Sequence, residues 1–269
     1  MTEHITTSAG DRVAFDHHLA ADPTDDVVPV VFVAGAGPHR GSDQVTTETA
    51  RLLADLGVPS IVHDRVGRGE SPADAPIHLD RELAALAALI ETAGGRAILC
   101  GHSSGCTIAL AAAVGGLPVT ALALWEAPLG QGAEPTRDWW ARTAKQIAAG
   151  DREGALATYM EDMPAEFLEA AKAAPDYPAT VAAVVSYGPD GESLVWAESQ
   201  PLSVLLRDLD IPVVAAVGAE TFPGMPEAAD AIAAATDGRS IVVDGAWHSW
   251  EPRAMASVLA DLARVTAEK

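Results

Sequence analysis

Short unbroken apolar runs alternate along this chain with longer stretches in which apolar residues recur at helical spacing. Residues 5–8 and 13–19 read as two strands joined by the turn Ala9-Gly10-Asp11. Residues 27–34 are continuously apolar, as suits a strand covered on both faces, and Gly35-Ala36-Gly37-Pro38 breaks the run. Ser42 stands where it can cap a helix that reaches Leu56 and stops at Gly57. A strand at residues 60–63, a loop at 64–72 and a helix over 80–92, closed by Gly94-Gly95, follow. The run Ala97-Ile98-Leu99-Cys100 then leads through Gly101-His102-Ser103-Ser104-Gly105 into a helix-forming stretch at 106–113, and residues 119–125 form another strand.

The alternation lapses between residues 128 and 206, where short helical pieces are broken by Gly150, Pro164, Pro175, Pro178 and Pro189. It resumes as a strand at 211–217, a helix at 226–236, a strand at 240–243 and a helix at 252–266. The pattern predicts an α/β fold: a mostly parallel central sheet with helices on both faces. Residues 1–128 and 207–269 would form the core domain and residues 129–206 a helical cap inserted into it. In such sheets ligands bind at the carboxyl ends of the strands.

Gly101-His102-Ser103-Ser104-Gly105 lies at such an end. A serine between a strand and a helix, with glycine two positions away on each side, matches a strained elbow that lifts its hydroxyl clear of the sheet. The same turn leaves the Ser104 N–H pointing at whatever Ser103 attacks. The residues therefore predict a nucleophilic serine.

Charge and composition narrow the partners. The 269 residues carry 17 Lys and Arg against 38 Asp and Glu, a net charge of −21, which repels nucleic acid and anionic membranes. No apolar run reaches the length of a membrane span, and Met1-Thr2-Glu3-His4 lacks the basic and apolar regions of a signal peptide, so a cytoplasmic location is expected. Cys100 and Cys106 read as reduced, buried small residues. Metal-ligand spacings are absent, and the neighbours His17 and His18 would face opposite ways on a strand. Neither a metal nor a cofactor is expected, and the oligomeric state stays open, with a homodimer among the options.

Four separated landmarks together resemble the α/β-hydrolase family over nearly the whole chain. They are the break after Val33, the loop Asp64-Arg65-Val66-Gly67-Arg68-Gly69-Glu70-Ser71, the elbow, and a histidine after the last strand in Gly245-Ala246-Trp247-His248. Within the family, the elbow with Leu124-Trp125-Glu126-Ala127-Pro128 and Val217-Gly218-Ala219-Glu220-Thr221 resembles the zearalenone lactonase-like serine hydrolases. The resemblance implies that Ser103 is the nucleophile, His248 its base, and Glu126 the acid that orients the base. Glu220, at the end of a later strand where many members carry the acid, is the alternative. The resemblance also implies an oxyanion hole of backbone N–H groups from Ser104 and from Gly35 or Ala36. Family members commonly carry His-Gly where this chain has Ala34-Gly35, a departure that leaves the backbone donor intact.

Serine in place of aspartate at position 103 argues against dehalogenase and epoxide hydrolase chemistry. Trp139, Trp140, Tyr187 and Trp196 of the insertion would wall a pocket for a small, neutral, largely apolar substrate, while Trp125, Trp247 and Trp250 would shield the site from water. The expected reaction is hydrolysis of a carboxylic ester or lactone, zearalenone-type lactones being a specific case. A lyase or carbon–carbon hydrolase on the same fold, or a small-molecule receptor that retains the three residues, stays open as an alternative.

Overall fold

The computed structural model describes residues 2–21 and 27–267. The chain opens with β1 (Thr2–Thr6), β2 (Arg12–His18), β3 (Val30–Val33), α1 (Gln44–Asp55), β4 (Ser60–His63) and α2 (Leu79–Thr92). Then come β5 (Ala97–His102), α3 (Ser104–Val114) and β6 (Val119–Trp125). Six helices follow before the sheet resumes: α4 (Ala133–Ala148), α5 (Arg152–Tyr159), α6 (Ala165–Ala173), α7 (Tyr177–Ala183), α8 (Gly188–Ala197) and α9 (Leu202–Leu205), with a 3-10 turn over Val184–Ser186. The chain closes with β7 (Val213–Glu220), α10 (Met225–Thr236), β8 (Arg239–Ala246), β9 (Ser249–Trp250) and α11 (Pro252–Ala267).

These strands form one sheet in the order β1-β2-β4-β3-β5-β6-β7-β8-β9. The six strands from β4 to β8 in that order run parallel; β1 and β2 at one edge and β9 at the other are antiparallel. The mostly parallel α/β sheet expected from the hydrophobic pattern is what forms. Strand parity sorts the core. Val31, Leu99, Leu122 and Ala215 face α2, α3 and α10. Their neighbours Val30, Ile98, Ala121 and Val214 face α1 and α11. Successive side chains on a strand point to opposite faces, so a parallel strand covered by helices on both sides must be apolar throughout.

Several local expectations shift. Asp43, not Ser42, caps α1: its carboxylate accepts from Thr46 N at 2.9 Å and Thr46 Oγ1 at 2.6 Å, while the Ser42 hydroxyl is turned back to His39 O at 3.0 Å. Because α1 begins at Gln44, Asp43 holds the cap position, from which a side-chain oxygen reaches the orphan N–H of the third helical residue. The first strand lies at Thr2–Thr6 rather than residues 5–8, and the expected strand at 27–34 is confined to Val30–Val33. In the helical segment, Pro178 and Pro189 sit in the first turns of α7 and α8, and Pro164 precedes α6. They start helices rather than break them, because proline's missing N–H costs nothing in a first turn. Among the described residues, no helix is long and apolar enough to cross a membrane.

Candidate active site

Five segments at the carboxyl ends of parallel strands meet in one place: the turn after β3, the elbow after β5, Glu126 after β6, the end of β7, and the turn after β8. At the elbow, Ser103 holds φ 55° and ψ −128°. Its N–H donates to Trp125 O at 2.9 Å, and its carbonyl accepts from Cys106 N at 2.9 Å. Its hydroxyl makes no capping bond to α3, so it is not spent on the helix. The flanking glycines serve close approach. A Cβ on Gly101 would stand 2.7 Å from Cys106 Cα, and one on Gly105 would stand 2.1 Å from Val33 O. Strand, elbow and helix can be this near only without those side chains.

Strain is concentrated here. Ser103, Glu126, Trp247 and His248 account for four of the five non-glycine residues with positive φ among the described residues. Each such residue costs about 1–3 kcal/mol and persists only where its surroundings over-determine it.

Glu126 is buried, and its carboxylate is fully engaged. Oε2 meets His248 Nδ1 at 2.6 Å; Oε1 accepts from Gly218 N at 3.0 Å and from Thr221 Oγ1 at 2.6 Å. Burial alone would raise its pKa, but the hydrogen bonds from His248, Thr221 and Gly218 prevail and lower it. An ionised carboxylate only accepts, so His248 carries its proton on Nδ1 and keeps the lone pair of Nε2 free for a proton from elsewhere. The His248 ring remains 28% exposed. Its carbonyl is held by His102 Nε2 at 2.8 Å and Trp125 Nε1 at 3.3 Å, which fixes the turn. Glu220 lies exposed at the end of β7, and its carbonyl accepts from Trp247 N at 2.9 Å. Of the two carboxylates weighed from sequence, Glu126 is the one on the imidazole.

The turn after β3 presses on the elbow. A Cβ on Gly35 would lie 2.9 Å from Ser103 Cβ and 3.0 Å from His102 O. Ser104 opens α3, where the first N–H groups of a helix have no intrahelical partner and the helix dipole favours negative charge. Gly35 and the start of α3 at Ser104 thus both lie against Ser103.

A family model described as the Alpha/beta hydrolase family matches residues 30–261. The chain belongs to that family. The fold also matches an alpha/beta hydrolase from Sphaerobacter thermophilus, 28% identical with a TM-score of 0.79, over 97% of this chain and 99% of that one. A thermophilic esterase from Thermogutta terrifontis is 22% identical with a TM-score of 0.70, over 99% of both chains. A proline iminopeptidase from Mycobacterium smegmatis is 18% identical with a TM-score of 0.66, over 100% of this chain and 99% of that one. The last two likenesses show the fold alone. A comparison with curated proteins gives no match.

In this alpha/beta hydrolase the aromatic residues singled out from sequence divide into separate groups. Tyr187 is buried, with its hydroxyl 3.3 Å from where a Gly37 Cβ would stand, so it abuts the turn after β3. It packs on Tyr159 with ring centroids 4.7 Å apart, and Tyr159 in turn packs on Trp139 at 5.1 Å. Trp140 covers Gly191 of α8. Trp196 packs instead against the main core on the α2 and α3 face of the sheet. Trp125 and Trp250 stack edge-on behind His102, whereas Trp247 is 59% exposed and packs on Phe222. A cleft of about 650 Å³ opens beside His102, between the turn containing Gly37 and His39 and the small residues Ala179 and Ala183 of α7. Among the described residues, no group of three or more His, Cys, Asp or Glu is placed to hold a metal.

Sequence reasoning missed several neighbours of the site. Thr221 and Phe222 sit beside Glu126 and His248, and Phe222 lies edge-on to the His248 ring at 6.3 Å. Asp190, Arg65 and Arg68 lie beneath the elbow and the turn after β3. Asp190 lies in Gly188-Pro189-Asp190-Gly191, whose composition reads as a surface turn. Its burial depends on contacts more than a hundred positions away along the chain, to Arg65 and Arg68.

Proposed function

We propose that this hydrolase cleaves a carboxylic ester or lactone of a small, largely apolar substrate through an acyl-enzyme on Ser103. The observation that carries the reading is the 2.6 Å bond from His248 Nδ1 to the buried Glu126 carboxylate, on a turn whose His248 ring lies 4.7 Å from that of His102, the residue before the strained Ser103. A histidine in this tautomer takes the Ser103 proton on Nε2 as the hydroxyl attacks the carbonyl carbon. The N–H groups of Ser104 and of Gly35 or Ala36 hold the oxyanion. As the tetrahedral adduct collapses, His248 returns the proton to the leaving oxygen. Water, activated by the same ring, then releases the acid. Glu126 stays ionised throughout and stabilises the imidazolium.

The aromatic groups support an apolar substrate. Trp247, Phe222 and Phe167 form a connected cluster beside His248, with centroids 5.6 Å and 5.5 Å apart in turn. Helices α4 to α9 read as a cap, with Tyr187 and Tyr159 on its inner side. The Trp-Glu-Ala-Pro segment at 125–128 favours lactones among the ester substrates, by its likeness to the zearalenone lactonase group.

The test is turnover of p-nitrophenyl butyrate and of a panel of lactones by the wild type and Ser103→Ala. Repeated turnover lost in Ser103→Ala is the expected result. Saturable binding of the same compounds without turnover would make the protein a receptor instead.

A further inference from the structure

Beneath the elbow lies a set of buried charges that the chemistry above does not use. Asp190 of α8 is fully buried. Its Oδ1 accepts from Arg65 Nη1 at 2.6 Å and from the Ser104 hydroxyl at 2.7 Å, and its Oδ2 accepts from Arg68 Nη2 at 2.7 Å. Both guanidiniums are buried too, and both reach the turn after β3. Arg65 Nη1 donates to Ala34 O at 3.0 Å and Gly35 O at 3.3 Å, and Arg68 Nη1 donates to Gly35 O. Arg68 Nε is further tied to the Ser186 hydroxyl at 3.0 Å, and Arg65 Nε faces the buried Glu82 at 3.2 Å. Two cations and two carboxylates thus balance in a region closed to water.

The geometry acts on the backbone. In a trans peptide the carbonyl and the N–H of the next residue point in opposite directions. Drawing the Ala34 carbonyl toward Arg65 therefore turns the Gly35 N–H the other way. Drawing the Gly35 carbonyl toward both arginines does the same to the Ala36 N–H. These are the N–H groups from which one half of the oxyanion hole comes. The other half is the N–H of Ser104, whose side chain the same Asp190 carboxylate holds. One carboxylate, brought in by the helical segment 86 residues from Ser104, thus bears on both halves at once.

Burying these groups is costly unless each keeps its partners. Burial opposes the charge on Arg65, yet Asp190 and Glu82 outweigh it and raise the pKa. Burial likewise works against the Glu82 carboxyl, but Arg65 and His63 hold its pKa down to about 2. Arg65 and Glu82 thus hold each other charged, whereas burial and the like charge of Arg65 lower the Arg68 pKa, so the place of Arg68 in this clamp depends on its bond to Asp190.

We propose that Asp190, acting through Arg65, Arg68 and the Ser104 hydroxyl, is a positioning residue that sets the direction of the oxyanion-hole N–H groups, so that the helical segment is part of the machinery and not only a cover. The proposal rests on the serine-hydrolase reading.

The experiment compares the wild type, Ser103→Ala, Asp190→Asn and Arg68→Lys. It measures kcat and KM for p-nitrophenyl butyrate, and the inhibition constant of n-butylboronic acid, whose tetrahedral adduct with a serine places an oxygen in the hole. Circular dichroism and a melting curve establish which variants are folded. Asp190→Asn is expected to lower kcat by about 100-fold and weaken the boronate by a similar factor, with KM within about threefold. Arg68→Lys keeps the charge and loses the fork, and about a tenfold change in both quantities is expected. If Asp190→Asn fails to fold, Arg68→Lys decides. A folded variant with both kcat and boronate affinity within threefold of the wild type, or one that loses kcat while binding boronate unchanged, overturns the clamp. Wild-type protein without Ser103-dependent turnover would instead remove the hydrolase reading, and the clamp with it.

Discussion

Replacing Glu126 by glutamine tests the proposed chemistry at its narrowest point. The change keeps the shape of the side chain and exchanges one acceptor oxygen for an NH2 group. Three donors now meet the carboxylate: Gly218 N at 3.0 Å, Thr221 Oγ1 at 2.6 Å and His248 Nδ1 at 2.6 Å. The Gly218 N–H belongs to β7 and cannot turn away, so the amide must give it the oxygen or leave a buried donor unpaired, at about 1–3 kcal/mol. The Thr221 hydroxyl rotates freely and adjusts. The NH2 group therefore faces His248 and donates to Nδ1, which forces the ring proton onto Nε2. That nitrogen can then no longer accept the Ser103 proton. Locking the wrong tautomer in an arrangement of this kind costs about 10⁴ in kcat, which corresponds to roughly 5 kcal/mol of barrier. Fold stability should change by no more than about 2 kcal/mol, because the packing is unaltered. The assay is steady-state hydrolysis of p-nitrophenyl butyrate at pH 7.5 beside a urea melt, with Glu220→Gln as the control. Glu220 is exposed and does not hold the imidazole, so its variant should keep kcat within about twofold. A folded Glu126→Gln enzyme within tenfold of wild type, or a Glu220→Gln enzyme equally impaired, refutes the reasoning.

Two more outcomes are expected. Gly35→Ala would place a methyl group 2.9 Å from Ser103 Cβ and 3.0 Å from His102 O. Neither neighbour can yield, so the turn must move, and kcat should fall at least about tenfold at nearly constant KM; unchanged steady-state constants would show that the turn contributes no donor. The second outcome concerns acid. Burial, and then the nearby His248, push the His102 pKa down from 6.5 to about 4, so the unfolded chain binds this proton first and stability falls as the pH drops from 6.5 toward 4, by up to about 3 kcal/mol. Glu126 and Glu82, with lowered pKa values, contribute stability that is present above the ordinary carboxylate range and is lost only at lower pH. Urea midpoints measured from pH 7 to pH 4 should fall steeply for the wild type and less so for His102→Gln; parallel curves would remove His102 as the cause.

Much of the architecture was legible along the chain. Unbroken apolar runs announce parallel strands because both faces of such strands are covered, and the runs at 60–63, 97–100 and 119–125 all lie within strands of the sheet. The elbow is legible because two glycines are needed where Val33 O and Cys106 Cα come within a methyl's width. Element ends were less legible. Asp43 and Ser42 are both good helix caps by type, and the choice fell to the residue directly before the first helical position, Gln44. The prolines of the helical segment looked like breaks because proline stops a helix at one end and starts it at the other, and local sequence does not say which.

What the sequence determined by itself is whatever depends on neighbours within one or two turns, the strand and helix alternation and the serine elbow, while the shortlist of one histidine and two glutamates comes from the resemblance to the family. What only the tertiary structure decided is pairing across long stretches of chain. Glu126 and Glu220 end neighbouring strands; the family resemblance of the segment at 124–128 favours Glu126, but only the fold brings its carboxylate onto Nδ1 of His248. Asp190 offers no local sign that it will meet Arg65, Arg68 and Ser104. A buried charge is tolerable only once its partners arrive, and those partners come from segments that folding alone brings together.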